Sequence, residues 1–199
     1  ARHHARKVKT LWFIRHGETD WNREGRLQGQ RDIPLNDLGR EQAAEAGRRL
    51  LAAMPEAGRL PWIVSPLGRT METATLARGA IGLDPPGFVT DARLMELTFG
   101  RWEGHTWHDL KKRERELARA RKADKWNFVP PGGESYALLA KRIAPWLDCV
   151  PDEAVVVSHG GVARVLLTMV GGVATHEAPF HDIHQGQVLR LDAGQHVWI

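Results

Sequence analysis

Two apolar, β-branched segments of this chain each run straight into a histidine followed by a glycine. Val8–Ile14 leads into Arg15-His16-Gly17, and Ala154–Val157 leads into Ser158-His159-Gly160-Gly161. Further strand-like segments at Trp62–Ser65, Phe88–Thr90 and Gln187–Leu191 alternate with helical patterns. Such alternation predicts an α/β fold, a three-layer α/β/α arrangement around a mainly parallel central sheet. In open α/β sheets, ligands sit beyond the carboxyl ends of the strands. His16 and His159 lie 143 positions apart, yet both are expected at one crevice.

Local signals bound the helices. Asn36 is a good N-cap for a helix over about Asp37–Met54, on which Leu38, Ala43, Ala46, Leu50 and Ala53 can share one face. Pro66 fits the first turn of a helix after Trp62–Ser65. Thr106–Lys125 reads as one strongly charged helix. Pro130-Pro131-Gly132-Gly133 breaks the pattern, and helices over about Glu134–Cys149 and Val162–Val170 follow.

A chain of 199 residues is expected to form a single domain, here over 8–199, behind a flexible basic tail at 1–7. The formal charge of +4 is carried by Arg2, Arg6, Lys7 and Lys9, and the remainder is neutral. That balance argues against a broadly basic nucleic-acid-binding domain and leaves room only for a local patch. The single cysteine, Cys149, cannot form an internal disulfide and reads as a buried small residue. No apolar run approaches the length needed to span a bilayer, and the start of the chain lacks the apolar core of a secretory signal. A cytoplasmic protein is expected, with neither nucleic acid nor membrane as partner.

A histidine at a strand end is chemically able to be a nucleophile, a general base or a metal ligand. The neighbouring Arg15 argues against a metal at His16, because a fixed cation repels another, and its planar fork suits phosphate oxygens. Gly17 allows close backbone approach. Standing alone, His16 would be an ordinary hydrogen-bonded core residue, Arg69 a helix-surface residue and Glu96 a solvated carboxylate.

They do not stand alone. The run Arg15-His16-Gly17-Glu18-Thr19-Asp20-Trp21-Asn22 resembles the signature of the histidine phosphatase superfamily, also called the phosphoglycerate mutase-like family. The likeness continues through Arg26–Gly29 and Asp32–Gly39, then Ser65-Pro66-Leu67-Gly68-Arg69-Thr70. It resumes at Leu94-Met95-Glu96, Phe99–Gly104, Pro131–Ser135 and Ser158–Gly161. The blocks keep their order over most of the chain. The resemblance implies that His16 attacks phosphorus and becomes a phosphohistidine. Arg15, Arg69 and His159 would surround the phosphoryl group, and Glu96 would act as general acid and then base. Asn22, Gln28, Gly29 and Gly160 would bind phosphate oxygens or orient the substrate. No metal and no cofactor are expected, and the partner is a small phosphorylated substrate, with a homodimer compatible. The segment 97–135 is expected to form a lid over the site.

Phosphatases and cofactor-dependent mutases share this set. Mutases of the family typically carry a long insertion after the proline-rich turn, whereas Pro130–Ser135 here passes directly into a helix. Mutases also tend to have Phe-Thr-Gly-Trp where this chain has Leu27-Gln28-Gly29-Gln30, and Phe99–Gly104 resembles the phosphatase branch. A phosphomonoesterase is the expected activity, with a mutase and an inactive phospho-ligand-binding protein as the alternatives.

The stretch Lys111–Lys125 holds eight basic and three acidic side chains. It reads either as a solvated helix, the preferred reading, or as a steering surface for a multiply charged phosphoester. Trp102, Trp107 and Trp126 are expected to pack rather than to stack on a substrate. His176, His181 and His184 match no familiar metal spacing. Gln185 or Gln187 is a candidate substrate-facing polar residue.

Overall fold

The computed structural model of the protein describes residues 9–199; the tail expected at 1–7, and Val8, lie outside them. The strands are β1 (Thr10–Arg15), β2 (Trp62–Val64), β3 (Val89–Thr90), β4 (Glu153–Ser158), β5 (Leu189–Asp192) and β6 (Gln195–Trp198). The helices are α1 (Asp20–Glu24), α2 (Asp37–Ala53), α3 (Gly68–Ala80), α4 (Trp107–Arg113), α5 (Arg115–Ala123), α6 (Tyr136–Cys149) and α7 (Gly160–Met169). The strands form one sheet in the order β3-β2-β4-β1-β5-β6. The first four are mutually parallel, while β5 runs antiparallel to both β1 and β6.

Both faces of the sheet are covered, which explains the unbroken apolar character of the central strands. Leu11, Phe13, Ala154 and Val156 point into a core shared with α6 and α7. Trp12, Ile14, Val155 and Val157 point the other way, into a core shared with α2 and α3. The result is the expected three-layer α/β/α fold. Leu50, Ile143 and Leu166 are fully buried in these layers, and truncating a side chain so placed costs about 2–5 kcal/mol.

Several local expectations are corrected. The buried stripe of α2 is Gly39, Ala43, Ala46, Gly47 and Leu50, while Leu38 and Ala53 are exposed. The two glycines take the close-contact positions that apolar periodicity alone assigns to larger residues. The charged helix expected over 106–125 is two helices, broken at Glu114. There the Glu114 carboxylate accepts from Arg101 Nη2 at 2.7 Å and from the Trp102 indole, which holds its backbone outside the helical region. Cys149 is exposed, because α6 and the residue after it turn Leu139, Ile143, Trp146 and Val150 inward. The helix after β2 starts at Gly68, beyond Pro66, and the chain ends in a hairpin whose second strand, β6, the hydrophobic pattern does not reveal. No helix among the described residues is long and apolar enough to cross a membrane.

One close approach fixes the loop after β1. A Cβ at Gly17 would lie 2.1 Å from the carbonyl oxygen of Gly39, and one at Gly39 would lie 2.1 Å from that of Glu18. The N-terminus of α2 is pinned there, with Asn36 capping Gly39 N at 2.9 Å and Asn36 N donating to Glu18 O at 2.9 Å. Gly39→Ala is therefore expected to destabilise the protein by about 1–3 kcal/mol through overpacking, although alanine is the better helix former. Gly79→Ala, in the exposed last turn of α3 where a new Cβ meets only Pro85 at 3.9 Å, is expected to stabilise by up to about 1 kcal/mol. Urea unfolding measures both, and equal effects would contradict the close approach.

Candidate active site

Strand register builds the site. β1 and β4 pair so that Arg15 lies opposite Ser158, and β2 and β4 so that Val64 lies opposite Val157. The next residues of the three adjacent parallel strands, His16, His159 and Ser65, therefore emerge at the same edge of the sheet. The two imidazoles meet edge to face with ring centroids 5.4 Å apart. Ser65 Oγ lies 2.7 Å from His159 Nε2.

The hydrogen bonds assign the protons. His16 Nδ1 sits 2.7 Å from the carbonyl oxygen of Gly17, which can only accept, so Nδ1 carries the hydrogen. Nε2 then holds the lone pair, and Arg69 Nε donates to it at 3.3 Å. Burial, followed by the positive charges of Arg69 and Arg15, lowers the His16 pKa well below its ordinary 6.5. His16 is thus a neutral imidazole of fixed tautomer, with its nucleophilic nitrogen among guanidiniums. In His159 it is Nε2 that is engaged, by the Ser65 hydroxyl, which is able to donate or accept, and Nδ1 has no partner among the described residues. Burial first, then Arg69, His16 and Arg15, lower the His159 pKa well below 6.5 as well.

Arg69 is 1% exposed and stitched to the loop after α1. Its Nη2 donates to Gly29 O at 2.6 Å and its Nη1 to Arg31 O. Arg15 donates from Nη1 to Ile183 O at 2.8 Å, while its buried Nε has no partner among the described residues. Burial, with the nearby Arg164, lowers Arg15 to about 10, which still leaves it charged at neutral pH. Arg15 Nε, a buried donor without a partner among the described residues, needs an acceptor from outside the protein, and an oxyanion suits it.

Glu96 faces this group. Its Oε1 accepts from Leu97 N at 2.9 Å and its Oε2 from Gly161 N at 3.0 Å. A Cβ at residue 161 would lie 2.2 Å from Oε1, so glycine there is a steric requirement of the carboxylate's position. Arg142 braces the segment from below, donating from Nη1 to Arg93 O and Met95 O at 2.7 and 2.8 Å and from Nη2 to Glu134 at 3.0 Å.

The short helix α1 orients two amides. Asn22 Oδ1 accepts from Thr19 N at 3.1 Å and from Gln185 Nε2 at 3.1 Å; Gln28 Oε1 accepts from Thr19 Oγ at 2.8 Å. With their oxygens engaged, both side chains offer NH2 donors. Arg15, His16, Asn22, Gln28, Gly29, Arg69, Glu96 and Gly160 all line one cleft of about 330 Å³, a size suited to a small metabolite. His159 stands behind its wall. Six cationic side chains and a single carboxylate line the cleft, which selects for an anion. Among the described residues, no group of three or more His, Cys, Asp or Glu side chains is placed to hold a metal ion.

Residues 11–199 match the histidine phosphatase superfamily (branch 1). The chain belongs to that superfamily. Among curated relatives, the probable phosphoglycerate mutase GpmB of Erwinia tasmaniensis is 31% identical over 194 residues, covering 95% of this chain and 87% of the relative. Among solved structures, a phosphoglycerate mutase from Thermus thermophilus is 35% identical, with a TM-score of 0.71 over 94% of each chain. An Escherichia coli K-12 protein, provisionally described as an alpha-ribazole-5'-P phosphatase, has a TM-score of 0.77 at 25% identity, covering 96% of this chain and 94% of that one. The names of these superfamily relatives divide between mutase and phosphatase.

Other sequence candidates have separate places. His176 lies beside Glu177, the His181 ring meets His196 at 5.7 Å, and the His184 ring meets Trp198 at 4.7 Å. Gln185 touches Asn22 and does not itself line the cleft. Trp102 stacks on Phe128 and Trp126 on Tyr136, while Trp107 lines the cleft. The structural roles of Ser65, Thr73 and Arg142 carry no local sequence signal; Thr73 Oγ1, which accepts from Gly17 N at 3.1 Å, reads as any helical threonine.

Both imidazoles are held neutral in the folded protein but titrate near pH 6.5 in an unfolded chain. Below that pH the unfolded state gains protons that the folded state refuses, so stability falls as pH falls. Each imidazole contributes at most about 1.4 kcal/mol per pH unit. Urea unfolding between pH 7.5 and 5.5 is expected to show this loss, with a shallower slope in His16→Gln. Identical slopes would contradict the neutral burial of His16.

Proposed function

We propose that this superfamily member is a phosphomonoesterase that transfers the phosphoryl group of a small metabolite to His16 and then to water. The observation that carries this reading is the fixed tautomer of His16. Its Nδ1–H is committed to Gly17 O, and Nε2 presents a lone pair between Arg15 and Arg69.

In the first step Nε2 attacks phosphorus in line, and the bond to the leaving oxygen breaks. Glu96, in its protonated form, passes its proton to that oxygen. Charge on the equatorial oxygens is met by Arg15, Arg69 and His159, with Asn22, Gln28 and the backbone of Gly29 and Gly160 holding the group in place. The phosphorylated ring becomes cationic, and the Gly17 carbonyl opposite Nδ1–H stabilises it. In the second step the Glu96 carboxylate takes a proton from water, the hydroxyl attacks phosphorus, and the N–P electron pair returns to Nε2. Inorganic phosphate leaves, and His16 and protonated Glu96 are restored. The protein's own guanidiniums supply the charge compensation throughout.

A mutase would share the first step and differ in the acceptor. Hydrolysis is favoured by the direct passage of Pro130–Ser135 into α6, without an intervening insertion. Hydrolysis of an alkyl phosphate in excess chelator is expected, with loss of activity in His16→Ala. Full activity in that variant would overturn the reading, and interconversion of the two monophosphoglycerates faster than hydrolysis would assign a mutase instead. In rapid-mixing experiments Glu96→Gln is expected to slow phosphoenzyme formation by about 10²–10⁴ for an alkyl phosphate. The effect should be far smaller for a nitrophenyl phosphate, whose leaving group needs no proton. Equal losses would remove Glu96 from the acid role.

A further inference from the structure

The carbonyl that fixes His16 belongs to a peptide whose other edge is also held. An amide is a flat plate with its C=O and its N–H on opposite edges. The plate between Gly17 and Glu18 turns its oxygen to His16 Nδ1 at 2.7 Å, and its N–H, on Glu18, donates to Gln42 Oε1 at 2.9 Å. A side chain of α2 thus reaches the imidazole through a single peptide. The two flanking plates have other partners. Gly17 N donates to Thr73 Oγ1 at 3.1 Å, and Glu18 O accepts from Asn36 N at 2.9 Å. Gln42 holds the plate that faces His16. Rotation of that plate moves both edges together, and on one side it meets only a glycine, which resists rotation least.

The local packing explains how Gln42 arrives there. It lies three residues after Gly39 and so shares its face of α2. Gly39 lets the helix approach the loop so closely that a Cβ in its place would sit 2.1 Å from Glu18 O. One turn on, the amide of Gln42 then reaches Glu18 N. Gln42 is half-buried at the margin of the apolar stripe, and its stem lies against the turn before β5, where a Cβ at Gly186 would be 3.4 Å from Gln42 Cγ.

The chain of bonds has a chemical consequence. Linked hydrogen bonds polarise one another, by about 10–30% per bond. An acceptor on Glu18 N–H therefore makes Gly17 O a stronger acceptor for the Nδ1 hydrogen. When Nε2 bonds to phosphorus the ring becomes cationic, and its Nδ1–H becomes a stronger donor. The bond to Gly17 O is then worth more in the transition state than in the ground state, which raises rate rather than binding. A carboxylate placed directly on Nδ1 would also raise the imidazole pKa; a neutral amide acting through a peptide leaves the ring neutral.

We infer that Gln42 is a positioning residue for phosphoryl transfer, aligning and polarising the Gly17 carbonyl through the Gly17–Glu18 peptide. This inference rests on the reading of His16 as the nucleophile.

Three variants test it. Gln42→Met removes the acceptor at similar length, Gln42→Leu does so with a shorter side chain, and Gln42→Glu keeps an acceptor oxygen. In ¹⁵N-histidine-labelled protein, the Nδ1 proton of His16 is identified by its loss in His16→Gln. Its resonance is expected to move upfield in Gln42→Met and Gln42→Leu and to return to the wild-type position or beyond in Gln42→Glu. Phosphoenzyme formation from a nitrophenyl phosphate is expected to slow about 10-fold in the apolar variants while Kd for inorganic phosphate stays within about twofold. Gln42→Glu should restore most of the rate. In the wild-type protein, the Glu18 amide should exchange slowly with deuterium, and fast exchange would overturn the inference without any variant. An unmoved proton resonance or wild-type rates in the apolar variants would also overturn it. Equal losses of rate and phosphate affinity, not restored by Gln42→Glu, would reduce Gln42 to a packing residue. A resonance that shifts and is restored, in a protein whose wild type hydrolyses no phosphomonoester, would leave the peptide relay standing and count against the phosphatase reading instead.

Discussion

The site depends on the register between β1 and β4. Their parallel pairing, with Arg15 opposite Ser158, brings two histidines from opposite ends of the chain to a centroid separation of 5.4 Å. Val155 and Val157 on one face and Ala154 and Val156 on the other lock β4 between two helical layers, so a one-residue slip would reverse every side chain. The geometry of the candidate site is thus secured by the most deeply buried part of the fold. β2 joins the same edge and supplies Ser65, which holds the second imidazole.

A second constraint is electrostatic. Arg15, Arg69 and two imidazoles crowd one buried edge, and the protein avoids mutual repulsion by keeping both histidines neutral. The same field that suppresses protonation of His16 attracts an oxyanion to it. Carbonyl oxygens of Gly29, Arg31 and Ile183 absorb part of the arginine donor capacity. Among the described residues, Arg15 Nε and His159 Nδ1 beside His16 remain without partners, and Arg121 and Lys125 line the same cleft. In the proposed reaction, activation of His16 and selection of an anionic substrate follow from one distribution of charge.

Much of this is legible in the residues. Unbroken apolar runs at 11–14 and 154–157 announce covered strands, and the His-Gly pairs that follow them announce the crevice. Asn36 marks the start of α2 because its capping chemistry is local. Three kinds of feature are not legible. The α2 stripe escapes because glycines that touch backbone do not register in hydrophobic periodicity. The break at Glu114 and the exposure of Cys149 are set by distant partners, Arg101 and Trp102 in one case and the rotation of α6 in the other. The basic segment 111–125 reads as a solvated helix, and its outward-facing charges fit that description. Arg121 and Lys125 nonetheless turn into the cleft, and no local pattern separates them from Lys122 or Arg119.

The central claim is that His16 acts as a neutral nucleophile through Nε2 because Gly17 O holds the proton on Nδ1. The most direct measurement is the site of phosphate on a trapped phosphoenzyme, read by nitrogen–phosphorus coupling after acid-free quenching of ¹⁵N-histidine-labelled protein. The account predicts phosphate on Nε2 of His16. Phosphate on Nδ1, or on His159, would contradict it.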